Sequence, residues 1–161
     1  MATRNINLNA FTLEARQGRT RQPLDILGME TLVKLANSDS DGAAVILQQD
    51  VAPQAGPPLH RHTYEDEWFY VLQGELTVEV DGERSSLCSG GSVFAPRGTA
   101  HSFKNFAAVP ARVLAVVTPG RFQQFFEDLS SLSQSQAEPD RGRIEQLGAQ
   151  YGIEILGPPL S

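Results

Sequence analysis

The sequence of 161 residues carries a single cysteine, Cys88, so no intrachain disulfide can staple the fold. With no export signal beside it, a lone cysteine fits a reduced, cytoplasmic protein. Cys88 reads as a small buried hydrophobe, because nothing in the sequence supplies the electropositive surroundings of a reactive thiol. Basic residues are in the minority: Lys plus Arg number 13 against 19 Asp plus Glu, a formal charge of −6. No basic stripe exists, which argues against nucleic acid or an anionic membrane as a partner. No apolar run approaches the roughly 18 to 20 residues of a membrane span. The opening Met-Ala-Thr-Arg-Asn-Ile-Asn lacks the apolar stretch of a signal peptide. Internal repeats and low-complexity blocks are missing too. Histidine is scarce, with three in all, at 60, 62 and 101. What remains is an ordinary globular composition, long enough to bury a real core in one domain.

Residues 1–25 are polar and irregular, an arm or docking strand carrying Arg4, Arg16, Arg19 and Arg21. From Ile26 the pattern turns to strand, with Met29, Thr31, Val33 and Leu35 alternating with Glu30, Leu32 and Lys34. A turn at residues 37–42 leads to a second, well-buried strand over Ala43–Val51. Ala52 to Pro58 is a rigid connector. Further strands are expected at Trp68–Leu72, Leu76–Val80, Glu83–Leu87, Ser92–Ala95, His101–Phe106 and Arg112–Thr118. Asp81-Gly82 is the strongest hairpin signal in the chain. Many short strands punctuated by Gly and Pro indicate a sandwich or barrel, not alternating strand and helix.

Helical periodicity enters only after Pro119. Phe122, Phe125, Phe126 and Leu129 share one stripe, read here as a packing surface, with a lid over the site as the lesser reading. Ser130 to Ala137 reads as a polar linker. Pro139 opens a second helix bearing Ile144, Leu147 and Tyr151, and Ile153–Leu156 is extended.

The chemistry concentrates in Gly56-Pro-Pro-Leu-His60-Arg-His62-Thr-Tyr-Glu-Asp-Glu67. On a strand, residues two apart point the same way, so His60 and His62 can aim at one point while Arg61 faces outward. A short turn returns Glu67 beside them, with Glu65 and Asp66 as rival carboxylates. Taken alone, a His-x-His strand is more often two surface or hydrogen-bonded histidines than a metal pair. Joined by His101, three imidazoles and a carboxylate would suit a divalent Fe, Mn, Co, Ni, Cu or Zn ion and leave two octahedral positions open.

The spacing resembles the cupin superfamily. His60-x-His62, four residues to Glu67 and six more to Gly74 is similar to its first motif. Gly90, five residues to Pro96, then Gly98, His101 and Asn105 is similar to its second, and 15 residues separate Gly74 from Gly90. One departure is Gly56, which stands two residues closer to His60 than the family pattern has it. Pro-Arg-Gly-Thr-Ala-His-Ser-Phe-Lys-Asn and the tail Tyr-Gly-Ile-Glu-Ile-Leu-Gly-Pro-Pro-Leu resemble the small single-domain cupins related to quercetin dioxygenases. The resemblance implies an all-β, double-sheet jelly-roll β-barrel over residues 26–118, with His60, His62, Glu67 and His101 as metal ligands inside it. Residues 119–161 would add two short helices to the same domain.

If Glu67 points inward, so do Phe69 and Val71, and His101 brings Phe103 with it; these three residues are the expected pocket wall. Trp68, Tyr70 and Leu72 then form an outward apolar face, which favours a homodimer or a cover of helices. The resemblance implies a metal-dependent dioxygenase-type oxidoreductase acting on a small enolic or aromatic substrate. With every histidine committed, the base is a carboxylate or Tyr64, and Glu67 is the best candidate. The alternatives are a non-redox isomerase or lyase on a sugar or keto acid, and a binding protein without turnover.

Overall fold

The computed structural model describes residues 8–134 and 140–161. Short β1 (Leu24–Ile26) turns at Leu27–Gly28 into β2 (Met29–Leu35), and a 3-10 turn at Asn37–Ser40 leads to β3 (Val45–Val51). The histidine segment forms β4 (Pro58–His62). It is followed by β5 (Asp66–Gln73), β6 (Glu75–Val80), β7 (Glu83–Cys88), β8 (Ser92–Ala95), β9 (His101–Lys104) and β10 (Ala111–Thr118). Helices α1 (Gln123–Gln134) and α2 (Arg141–Gln150) precede the last strand, β11 (Ile153–Pro159). No helix among the described residues is long and apolar enough to cross a membrane.

The strands form two antiparallel sheets, ordered β1-β2-β3-β10-β5-β8 and β11-β4-β9-β6-β7. Alternation decides what each contributes. In β3, Val45, Leu47, Gln49 and Val51 are buried, and β10 does the same with Ala111, Val113, Ala115 and Val117. In β5 the inward set is Glu67, Phe69 and Val71. The inner faces of both sheets meet in one core, which also takes in Leu76, Val78 and Phe103.

Neither sheet closes on itself, which corrects the expected jelly-roll barrel: the larger sheet ends at β1 and β8, the smaller at β11 and β7. The architecture is an open two-sheet sandwich with two C-terminal helices. The physical reason lies in what a period of two encodes. It says that one face of a strand is buried, and nothing about whether the outermost strands pair with each other. The edges are blunted instead. β8 has four residues, β7 shows Glu83, Arg84, Ser85 and Ser86 to solvent, and β11 ends in Pro158 and Pro159.

Two smaller expectations also change. Cys88 is exposed at the end of β7, where its Sγ lies 3.9 Å from Glu75 Oε2, and Leu87 is the residue that turns partly inward. Helix α1 runs through Ser130 to Gln134, into the stretch read as a linker; the rest of that stretch, and Pro139, lie outside the described residues. The N-terminus of α2 is capped by Asp140, whose carboxylate accepts from the Gly142 amide. The Asp81–Gly82 turn, with φ of 50° and 83°, joins β6 to β7 as its dipeptide predicts.

Packing places the helices over one end of the sandwich. Helix α1 lies on β1, where Ser130 Oγ accepts from the Asp25 amide at 2.9 Å, and the Tyr151 hydroxyl donates to Asp128 to tie the end of α2 to α1. The outer face of the larger sheet keeps Leu72 and Phe94 exposed, beside the stacked rings of Trp68 and Tyr70.

Candidate metal centre

Three strands from both sheets deliver the four side chains. Pro57 and Pro58 lead into β4, which is held on one side by β11, with Ile153 opposite His62 and Ile155 opposite His60. On its other side His60 faces His101 of β9. The turn ahead of β9 is fixed at Gly98, whose amide donates to the His62 carbonyl at 2.7 Å, and at Thr99, whose amide donates to the Pro96 carbonyl. Glu67 crosses from the larger sheet on β5.

The result is a tight cluster. One ligand atom from each of His60, His62, Glu67 and His101 lies within 4.8 Å of the others. Glu67 Oε2 sits 2.8 Å from His101 Nε2 and 3.4 Å from His62 Nε2. The His60 and His101 ring centroids are 4.5 Å apart. Glu67, His62 and His101 are buried, and His60 is half-buried.

Two of the three outer ring nitrogens meet a backbone acceptor. His60 Nδ1 lies 2.8 Å from the Pro58 carbonyl and His101 Nδ1 lies 3.0 Å from the Thr99 carbonyl. With those carbonyls taking Nδ1–H, the Nε2 lone pairs face the common point. His62 differs: both its nitrogens are buried without a hydrogen bond among the described residues. Its neighbours Glu65 Oε2 and Glu67 Oε2 stand at 3.4 Å, close enough for charge attraction but not for a well-formed hydrogen bond.

Electrostatics follow from this burial. His60 is pushed down to about 3, chiefly by burial and then by the neighbouring imidazoles. His62 is raised to about 9: burial opposes its charge, but the Glu67 and Glu65 carboxylates overcome that. Burial disfavours ionised Glu67 as well, yet His62 and His101 hold it well below the usual carboxylate range. Converging, mostly buried donors of this kind, with His62 left unpartnered, fit a divalent transition ion, because binding would satisfy the orphaned His62 Nε2 and the Glu67 charge together. The cluster is thus capable of coordinating such an ion.

The structure separates the three carboxylates of the turn. Asp66 faces out, gripping Arg97 through its side chain at 2.7 Å and its backbone amide at 2.9 Å, so it anchors the turn that carries His101. Glu65 stands behind His62, on the Nδ1 side. Only Glu67 joins the imidazoles. Tyr64 is 61% exposed and leaves Glu67 as the carboxylate facing the pocket.

A cavity of about 70 Å³ adjoins the cluster. Phe69 and Phe103 line it as the alternation suggests, whereas Val71 is buried in the core and is not part of the wall. Sequence reasoning gave the roof only as the lesser reading of the phenylalanine stripe, behind a packing surface. Phe122, Phe125 and Phe126 close over the cavity, and the Phe122 ring meets His62 edge-on at 4.7 Å between centroids. The stripe itself was visible in sequence; the surface it covers was not. Gln49 was missed as well, and it is the one polar wall residue outside the cluster. A lone Gln within an apolar strand is the signal that could have found it.

Fold and site together define a two-sheet β protein whose inner face carries a three-histidine, one-carboxylate cluster. Residues 47–117 match the family model described as the Cupin domain. Over that stretch the chain is similar to the cupin superfamily. Among curated relatives it is 29% identical over 94 residues to quercetin 2,3-dioxygenase of Bacillus subtilis, covering 58% of this chain and 28% of that protein. It is 34% identical over 70 residues to the tetracenomycin polyketide synthase protein TcmJ of Streptomyces glaucescens, covering 44% of this chain and 47% of that one. The match thus spans under half the length of both relatives. A solved structure from Thermotoga maritima, titled a predicted oxalate decarboxylase, superposes with a TM-score of 0.55 at 25% identity, covering 56% of this chain and 80% of that chain.

Proposed function

We propose that this chain is a metal-dependent oxygenase of the dioxygenase type, acting on a small aromatic or enolic molecule with molecular oxygen as co-substrate. The observation that carries the reading is the contrast between the four-ligand cluster and its surroundings. Beyond His60, His62, Glu67 and Gln49 the cavity wall is wholly apolar, with five phenylalanines, at 69, 103, 122, 125 and 126. Such a wall suits a flat, apolar ring and offers little to the hydroxyls of a sugar. Similarity to quercetin 2,3-dioxygenase supports the same class.

His60, His62, Glu67 and His101 would hold the ion. A divalent transition metal bound there supplies Lewis-acid polarisation of a substrate oxygen and, for a redox-active ion, electron transfer. The chain's own residues supply the rest. Glu67, ionised and facing the cavity, accepts the proton of a substrate enol or phenol at Oε2. Phe69 of the larger sheet and Phe103 of the smaller sheet flank the ring, and the phenylalanines of the roof exclude water from it. At about 70 Å³ the cavity has room for only a few water molecules, well short of the roughly 300 Å³ or more of typical ligand sites. Substrate therefore enters by displacing the Phe122–Phe126 segment.

The outward Trp68, Tyr70, Leu72 and Phe94 face is the proposed homodimer surface. The reading for the whole chain is one domain, located in the cytoplasm.

The test compares turnover of metal-loaded protein on enolic and flavonol substrates with and without oxygen. Loss of turnover on removing oxygen supports the oxygenase. Equal rates would replace it with a non-redox lyase, which the likeness to the Thermotoga maritima structure favours as the second reading.

A further inference from the structure

Glu65 has no place in the four-ligand set, yet it is as buried as the ligands: its side chain is 8% exposed against 6% for Glu67. Its Oε2 has no hydrogen-bond partner among the described residues. A carboxylate is costly to bury in this way unless something answers it. The atom facing it is His62 Nδ1, at 3.4 Å, which is equally unpartnered.

The three imidazoles make the arrangement legible. His60 and His101 each present Nδ1 to a backbone carbonyl. His62 alone presents Nδ1 to a carboxylate. A carboxylate behind a ligating imidazole fixes its tautomer and orientation and makes Nε2 a stronger donor than a carbonyl does. Glu65 also adds a second buried negative charge beside Glu67. Two carboxylates and three neutral imidazoles balance a divalent cation, whereas Glu67 alone leaves one positive charge uncompensated among phenylalanines.

We propose that Glu65 is the positioning residue of the metal centre: it accepts a hydrogen bond from His62 Nδ1–H, aims Nε2 at the ion and adds its negative charge behind the ligand set. This inference rests on the metal-binding reading above. With Nε2 engaged, His62 would no longer be shared between the two carboxylates, and Nδ1–H would be free to donate to Glu65.

The test uses the full chain and Co²⁺ as probe. Affinity is measured by competition with a chelator of known strength, and the visible d–d absorption of the bound ion is recorded, for wild type, Glu65→Gln and Glu65→Ala. Glu65→Gln keeps the shape and an acceptor oxygen but loses the charge, and is expected to bind Co²⁺ about 10-fold more weakly. Glu65→Ala is expected to lose nearer 100-fold, with a displaced absorption band. Melting temperatures without metal should not track these losses. Binding within twofold of wild type in both variants, with an unchanged spectrum, overturns the role of Glu65 and leaves the four-ligand site standing. Affinity falling only in step with the melting temperature also overturns it. If wild type itself takes up no Co²⁺, the metal reading fails and the inference with it.

Discussion

His60 and His101 stand directly opposite one another across the β4–β9 ladder, and theirs is the one residue pair in register between those strands. The ladder that builds the smaller sheet is thus the same contact that brings the two halves of the ligand set together. Anything that moves β9 against β4 moves the site.

Gly56 is where that dependence can be probed. A β-carbon there would sit 2.1 Å from the Phe103 carbonyl oxygen and 3.0 Å from Lys104 Cα, both backbone atoms of β9. Gly56→Ala must push β9 away. It is expected to cost about 1 to 3 kcal/mol of stability and to weaken ion retention, because His101 shifts with the strand. Thermal melts and metal content of the same preparation check both. The close approach also gives physical sense to the displaced glycine of the first motif.

Phe122 joins stability to access. It is 2% exposed and packs on Phe125, Phe126 and His62. Phe122→Ala is expected to lose about 3 to 5 kcal/mol in denaturant unfolding and to speed removal of a bound ion by a chelator. A stable variant with unchanged removal kinetics would mean that the roof does not gate the cavity.

Asp50 predicts an acid dependence. Its carboxylate is held below its ordinary value first by the hydrogen bond from Arg112, at 2.6 Å, and then by Arg16 at 2.9 Å, against the opposing effect of burial. A depressed carboxylate contributes stability above its unfolded pKa of about 3.9 and loses it as pH falls through the folded value. Since both arginines are partly exposed, the contribution is about 1 kcal/mol or less. Asp50→Asn should flatten the stability–pH curve below about pH 4, read by denaturant unfolding at stepped pH. An unaltered slope would contradict the pairing.

The outer face makes a prediction about assembly. Leu72 is 39% exposed and Phe94 56%, side by side with Trp68 and Tyr70 on adjacent strands. The double substitution Leu72→Asp with Phe94→Asp is expected to turn a dimer into a monomer in sedimentation, with the fold retained. A wild type that sediments as a monomer removes the dimer.

Much of this was legible in the sequence, and the reasons differ from element to element. Alternation gave the inward face of β5 directly, since a strand has only two faces to choose between. Motif spacing located His60, His62, Glu67 and His101, because short turns leave few ways for ligands on neighbouring strands to meet. Closure of the sheets was not legible, as edge pairing leaves no mark on a strand's own alternation. Nor was the fate of Glu65 and Asp66. Three consecutive carboxylates look alike in sequence, and only the turn geometry sends Asp66 to Arg97, Glu65 behind His62 and Glu67 into the cluster. Cys88 was misplaced because its strand lies at an edge, where an apolar residue need not be inward. The Phe122–Phe126 stripe was plain as a periodicity, while its target depends on how α1 folds back over β1.

His60, His62, Glu67 and His101 are expected to hold one divalent ion between them. Elemental analysis of gently purified protein tests this most directly, with His101→Ala and Glu67→Ala measured alongside wild type. The expected result is about one transition-metal ion per chain in wild type, falling well below half occupancy in either variant while the fold persists. Wild type without metal after reloading, or variants that keep it in full, would contradict the site.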